Sequence, residues 1–383
     1  MPMSFICNMK TRVGVIFGGR SGEHEVSVRS AKSVIEKIDG DKYSVVPIAI
    51  DKDGHWLNPA NSAAFFPDEM AERLLEGIHG PDGAFGLLPD RNYNGLTAIA
   101  SGESPSIGLD VAFPVLHGTF GEDGTIQGLL EMADIPYIGC GVLASSCGMD
   151  KTVMKVLFRD AGLPICKHVW FLRSEWEADT DRMVGDVERT LGYPVFVKPA
   201  NLGSSVGISR ANDSIDLRKA VDLAAEYDRK IIVEEGLTMR EIECAVLGNE
   251  EPEASLPGEY IIRDSAKAFL DYTEKYAGTG NNQFIVPAPV SEELSEKIRE
   301  MAIKAFKAID GSGLARVDFF LRTDNGMLLV NEINTLPGFT ESSGYPKMWE
   351  GTGKPFSEVI DDLIVLAIER HADRVRNKTS FQF

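Results

Sequence analysis

An α/β protein of two or three domains is what this sequence predicts, and three observations carry the prediction. At 383 residues the chain is long enough to bury more than one core. Near the N-terminus a short β-branched strand, VGVIF, runs through a glycine turn into a helix-like stretch, the unit from which doubly wound sheets are built. Near the C-terminus, residues 313–347 alternate polar and apolar and read as two strands of an antiparallel hairpin.

Composition narrows the functional classes. Hydrophobic residues make up 43% of the chain, with no apolar run long enough to span a bilayer, so no membrane partner is expected. The N-terminus, MPMSFICNMKTR, lacks the apolar core and small-residue cleavage site of a secretory signal. A formal net charge of −19 argues against a nucleic-acid partner, which needs a basic face. An anionic ligand must then be met by a few placed cations. The five cysteines (Cys7, Cys140, Cys147, Cys166 and Cys244) are odd in number and have no CxxC spacing, which suits reduced thiols in a cytoplasm.

The strand at 12–17 meets Gly18-Gly19-Arg20-Ser21-Gly22-Glu23, and the helix-like stretch follows over 26–38. Strand, turn and helix N-terminus together offer an anion or ligand site. The glycines do not follow GxGxxG, and an acid such as Glu23 also simply suits a helix dipole, so both readings stand. A strand over 43–51 comes next. Residues 58–106 read as loop-rich variable surface. The strand at 111–116 ends at His117, where doubly wound sheets place ligands, although a structural histidine would look the same. The acidic turn at 121–124 opens a helix to Met132, and 135–139 reads as a last strand of this first unit.

A helix is predicted from Met149 to about Gly162, then a strand over 191–199 ending in Lys198. The small-residue loop at 200–207, with Gly203, Ser204 and Ser205, can aim backbone N–H groups and hydroxyls at a phosphate, but it is not a GxxxxGK[ST] loop. Residues 231–237 form a strand, and 240–243 alternate as a sheet edge would. The polar, Gly-bearing stretch over 266–282, with Phe269, Tyr272, Lys275 and Tyr276, reads as a long functional loop or lid. An amphipathic helix over 291–309 and a closing helix from Phe356 to about Arg370 complete the chain.

The hairpin carries the sharpest chemistry. Asp324-Asn325-Gly326 supplies the turn, since Asn-Gly takes positive φ readily. Alternation puts Arg316, Asp318 and Phe320 on one face, and Val330, Glu332 and Asn334 on one face of the partner strand. With the turn centred near Asn325, Asp318 falls opposite Glu332 and Arg316 opposite Asn334. Opposed side chains have Cβ atoms about 4.5–5.5 Å apart, where two like charges repel. A divalent cation makes sense of the pair, because magnesium takes a few hard oxygen ligands and leaves its other positions to phosphates. The alternative is an exposed hairpin whose acids are merely solvated.

Eight motifs in order (FGGRSGEHEVS, PVLHGTFGEDGTIQG, MDKTVMK, VKPANLGSSVG, EEGLTMREIE, DYTEKY, ARVDFF and NEINTLPGFTESSGYP) span nearly the whole chain, and together they resemble the D-alanine–D-alanine ligase family of the ATP-grasp superfamily. The resemblance implies a Rossmann-like substrate domain over 1–146. It implies a small ATP-grasp lobe over 147–236 and a second lobe over 237–383 with the metal site and lid, built on mixed and antiparallel sheets. It also implies a reaction in which ATP phosphorylates one D-alanine and the amine of a second attacks the acyl phosphate, plus a homodimer as the assembly. Lys151 and Lys198 would hold ATP phosphates under the loop carrying Ser204 and Ser205. Glu234, Glu235 and Leu237 would meet adenine mainly through the backbone, with Glu241 at the ribose and Phe269 and Phe320 sandwiching the ring. Asp318, Glu332 and Asn334 would hold two magnesium or manganese ions. Arg316 and the N–H of Gly338 would stabilise the tetrahedral intermediate. Glu23, assisted by His117, would pair with the first ammonium, and Ser343 with the second carboxylate. Tyr276, beside Lys275, would link through Ser204 to Glu23 and favour D-alanine over D-lactate as acceptor. Glu243 and Cys244 read as strand residues with no evident ligand role. A dinucleotide-dependent oxidoreductase leaves the acidic pair unexplained, and a non-catalytic nucleotide binder would be expected to lack one of Lys198, Arg316, Asp318, Glu332 or Asn334. Another ATP-grasp carboxylate–amine ligase is the alternative that stays open.

Overall fold

The computed structural model describes residues 10–76, 78, 84–99, 106–203, 206–262 and 282–378. Strands are numbered in chain order. β1 (Thr11–Gly18) and β2 (Tyr43–Ile50) run parallel, joined over the helix His24–Lys37. Both strands are nearly continuous apolar runs because helices and loops cover them on both sides. β3 (Phe85–Leu87), β4 (Gly95–Ala98) and β5 (Ser106–Gly108) form a separate antiparallel meander, and β6 (Val111–Pro114) returns to pair with β1 in parallel.

Two expectations for this part of the chain are corrected. Residues 58–106 hold the helices Pro59–Ala63 and Asp68–Leu75 besides the meander, all in pieces too short to show a periodicity. At 135–139 there is no named strand, only a parallel bridge from Ala112 to Tyr137. Pro136 has no N–H to give, and Arg370 takes the carbonyls of Tyr137 and Gly139 at 3.2 and 2.8 Å.

The helix Lys151–Asp160 starts where predicted, with the Asp150 carboxylate accepting from the N–H groups of Thr152 and Val153. Just before it stands the unpredicted helix Val142–Met149, whose small residues give no amphipathic signal. β7 (His168–Leu172), β8 (Val195–Pro199), β9 (Ser209–Ala211) and β10 (Lys230–Glu235) make an antiparallel sheet in the order β7-β10-β8-β9.

The last sheet contains β11 (Met239–Gly248), β12 (Glu253–Ala254), β13 (Gly258–Ile262), β14 (Asn282–Ile285), β15 (Gly313–Arg322) and β16 (Leu328–Asn334), in the order β14-β13-β11-β15-β16 with β12 on β11. β11 is therefore interior, not an edge. Its alternation marks a cleft-facing side, and Arg240 is occupied by a bidentate pair with buried Glu259 at 2.8 and 2.6 Å. The helix Glu292–Ala308 backs this sheet, capped by Ser291. The closing helix, Phe356–Arg374, runs one turn beyond its predicted end. Its Val359, Ile360 and Leu363 share one core with Val13, Val15 and Phe17 of β1 and Leu247 of β11. The two ends of the chain thus pack on one another, which sets the N-terminal loops over the face of β15 and β16. Among the described residues no helix is long and apolar enough to cross a membrane.

Candidate active site

The register of the hairpin is the predicted one: Asp318 lies opposite Glu332 and Arg316 opposite Asn334. The connecting residues place a positive φ at Gly326 alone, not at Asn325. One expectation fails. Phe319 pairs with Val330 while Asp318 pairs with Glu332, so Asn331 is an extra, bulged residue. The bulge reverses the alternation, and Val330 joins Val317 and Phe319 in the core while Glu332 and Asn334 face the cleft. Burying Val330 and presenting Glu332 are both favourable, and only an irregular strand satisfies both.

The row extends across three strands, because Glu243 on β11 pairs with Asp318. Arg316 sits among these acids, bidentate to Asp318 at 2.7 and 2.7 Å and 3.4 Å from Glu243. Lys151 stands beside the row, 3.6 Å from Glu332, and donates to the carbonyl of Leu202 at 2.8 Å. It thereby joins the acidic edge to the small-residue loop. Two carboxylates and an amide on neighbouring strands form a hard oxygen set that fits magnesium or manganese shared with phosphates.

Beneath the cleft lies a buried charge sandwich. Glu234 is 3% exposed and is gripped by Lys198 at 2.6 Å on one oxygen and by Lys155 at 2.8 Å on the other. Burial alone would raise its pKa, but the two ammonium groups overcome this and hold it well below the carboxylate range. Burial likewise opposes the charge on Lys198, yet Glu234 and Glu332 raise its pKa above the ordinary value. The Lys198 ammonium also lies 5.9 Å from the Phe320 ring centre. Phe320 packs with Cys166 and Leu329 in a small apolar cluster that Leu237 flanks, a slot suited to a planar ring. Glu235 faces elsewhere, accepting from the N–H of Lys167 at 2.8 Å.

At the other end, Glu23 precedes the helix His24–Lys37 and reaches between two glycines. A Cβ at Gly118 would lie 3.0 Å from its carboxylate, and one at Gly203 would lie 3.3 Å away. His117 is 4% exposed, donates through Nδ1 to the carbonyl of Leu336 at 3.1 Å, and meets Ser30 through Nε2 at 3.1 Å. Burial disfavours its imidazolium, but Glu122, Glu23 and the Leu336 carbonyl outweigh that and raise its pKa. It therefore bridges the N-terminal sheet to the loop bearing Gly338. Ser343 completes that loop, its hydroxyl 2.8 Å from that of Thr340 and accepting from the Thr340 N–H at 3.1 Å.

One cleft of about 510 Å³ is lined by Glu23, His117, Lys151, Lys198, Glu241, Arg316, Asp318, Phe320, Glu332, Asn334, Gly338 and Ser343, drawn from far-separated parts of the chain. Ser204, Ser205, Phe269, Lys275 and Tyr276, and most of the proposed lid at 266–282, lie outside the described residues. Sequence reasoning missed Lys155, which stands in the MDKTVMK motif one turn after Lys151, and Glu243, which it set aside although alternation from Glu241 puts it on the same face.

Family models described as D-ala D-ala ligase N-terminus and D-ala D-ala ligase C-terminus match residues 12–140 and 157–365. The chain is 47% identical over 371 residues to a D-alanine–D-alanine ligase from Heliobacterium modesticaldum, covering 97% of this chain and 98% of that one. A D-alanine–D-alanine ligase from Bacillus licheniformis is 46% identical over 373 residues, covering 97% and 100%. Among solved structures, a D-Ala:D-Ser ligase from Enterococcus faecalis superposes with a TM-score of 0.80 at 37% identity over 94% of this chain and 100% of that one. The D-alanine–D-alanine ligase from Coxiella burnetii gives 0.76 at 36% identity over 96% and 98%.

Proposed function

The chain belongs to the D-alanine–D-alanine ligase family, and from that premise we propose how its cleft carries out the reaction. It is an ATP-dependent ligase of ATP-grasp fold that joins two D-alanine molecules into D-alanyl-D-alanine for peptidoglycan synthesis. The carboxylate of the first D-alanine attacks the γ-phosphorus of ATP, releasing ADP and forming D-alanyl phosphate. The neutral amine of the second then attacks the acyl carbon, and the tetrahedral intermediate expels phosphate as the amide forms. Phosphoryl transfer asks the protein for position and charge more than for covalent help.

Lys151 and Lys198 meet the phosphates. The backbone at 234–237 and the Phe320 ring take the base, and Glu241 takes the ribose. Divalent ions held by Asp318, Glu332 and Asn334 would neutralise the phosphate charge. Glu23, set by Gly118 and His117, binds the first ammonium, and Ser343 binds the second carboxylate. Arg316, oriented by Asp318 and Glu243, supplies positive charge to the oxyanion together with the N–H of Gly338.

The opposition of Asp318 and Glu332 with Lys151 beside them carries this reading. Its test is ADP and phosphate release with a panel of D- and L-amino acids, with and without Glu332→Gln. Only D-alanine should support rapid release, and the variant should lose the several kcal/mol that metal neutralisation provides. Near-wild-type release by a folded Glu332→Gln protein would refute it. The likeness to a D-Ala:D-Ser ligase favours one further comparison, product analysis with equimolar D-alanine, D-serine and D-lactate as acceptors. D-alanyl-D-alanine should dominate at neutral pH.

A further inference from the structure

Lys155 has no part in the reaction as written, yet it is the most buried cation near the cleft, 1% exposed. An ammonium so placed is tolerable only if its donors are met. It pairs with the Glu234 carboxylate at 2.8 Å and donates to the carbonyl of Asn331 at 3.2 Å, and Cys166 Sγ lies 3.5 Å away. Asn331 is the bulged residue of β16, the one that lets Val330 pack inward while Glu332 faces Asp318. A bulged residue forfeits its ladder partner, and β16 is also the outer strand of its sheet, so its outward polar groups need partners from elsewhere. The neighbouring groups are served the same way. The N–H of Ile333 donates to Met154 Sδ at 3.3 Å, and the N–H of Val330 donates to the Pro164 carbonyl at 2.8 Å.

We propose that Lys155 is a positioning residue whose single ammonium couples Glu234, whose backbone borders the base pocket, to the bulge at Asn331 beside the candidate metal ligand Glu332. The inference rests on the functional reading above, and deepens it. Ordering Glu234 and Lys155 by filling the base pocket also orders the Asn331 carbonyl, so part of the cost of arranging Glu332 is already met when a metal arrives. Base occupancy and metal affinity are then linked, reciprocally. Without Lys155 the bulge can slip, and because Leu328 and Val330 keep their core places, Glu332 is the residue that loses its direction.

The probe for the base pocket is adenosine, which has no phosphate and cannot touch the metal. Manganese binding is measured by paramagnetic resonance in the presence of pyrophosphate, which offers phosphate oxygens but no base. In the wild-type protein adenosine should tighten manganese binding about fivefold or more. Lys155→Met, nearly isosteric with lysine, should bind manganese at least tenfold more weakly and lose the adenosine effect, while its circular dichroism stays native. A purely structural role would weaken binding and leave the adenosine effect in place. Manganese binding in the wild-type protein that is the same with and without adenosine, or undetectable in both, overturns the coupling even if the lysine variant does not fold. Dipeptide synthesis by the wild-type protein is assayed in parallel. Its absence would overturn the functional reading, and the linkage measurement stands apart from it.

Discussion

Replacing Glu234 by glutamine tests the buried charge sandwich. In the wild type, one carboxylate meets Lys198 at 2.6 Å and Lys155 at 2.8 Å on separate oxygens. Neutralising it removes both attractions and leaves the repulsion between the two buried ammonium groups, present in the wild type as well, uncompensated. Removing one member of a buried ionic group characteristically costs about 3–5 kcal/mol. Against a total stability of about 5–15 kcal/mol, that is a large fraction. Urea unfolding followed by tryptophan emission suits the measurement, since Trp176 packs in the core of the sheet containing β10. The midpoint should fall at unchanged slope.

The pH dependence supplies a second readout. The folded pKa of Glu234 is lowered despite its burial, because Lys155 and Lys198 favour the charged form. Its stabilisation is therefore complete above the ordinary value of 4.5 and is lost as pH falls below it. Wild type should lose stability more steeply than the variant on the acid side. A midpoint equivalent to within about 0.5 kcal/mol of wild type, which is the scale of an ordinary surface substitution, would refute the argument.

Two further outcomes are expected. His117→Gln should weaken the bridge from Ser30 to Leu336 by about 1–3 kcal/mol and raise the KM for D-alanine. Because the His117 pKa is raised when folded, its contribution is full below 6.5 and is lost as pH rises through the folded value, so the wild type should lose stability relative to the variant across that window, and parallel profiles through it would contradict the assignment. Gly344→Ala would set a Cβ 2.6 Å from Glu243 Oε2 and 3.0 Å from the Phe284 ring, and this overpacking should cost about 1–3 kcal/mol and lower kcat by displacing Glu243 from Arg316. Wild-type melting and turnover in that variant would show that the acid does not depend on its present place.

What the sequence determined by itself was local. A turn residue and a two-residue period bring Asp318 and Glu332 to neighbouring places on one hairpin, although their direct opposition also needs the bulge at Asn331, and Asp150 and Ser291 mark their helix starts because capping is a matter of neighbours. The motif order alone carries the family resemblance. Tertiary structure decided the rest. Whether β16 runs straight or bulges depends on a core that Val330 shares with Val317 and Phe319 of the neighbouring strand, which no window of β16 reveals. The partners of Glu234 lie on another strand and on a helix, so its charge state follows from packing, not from the EEGL motif. Glu243 looked idle because a strand residue's function depends on its cross-strand neighbours, here Asp318 and through it Arg316. The cleft exists because the closing helix packs against β1 and brings Glu23 and His117 over the hairpin. Periodicity reports which face of an element is buried, and contact between distant elements is settled only when those faces compete for the same core.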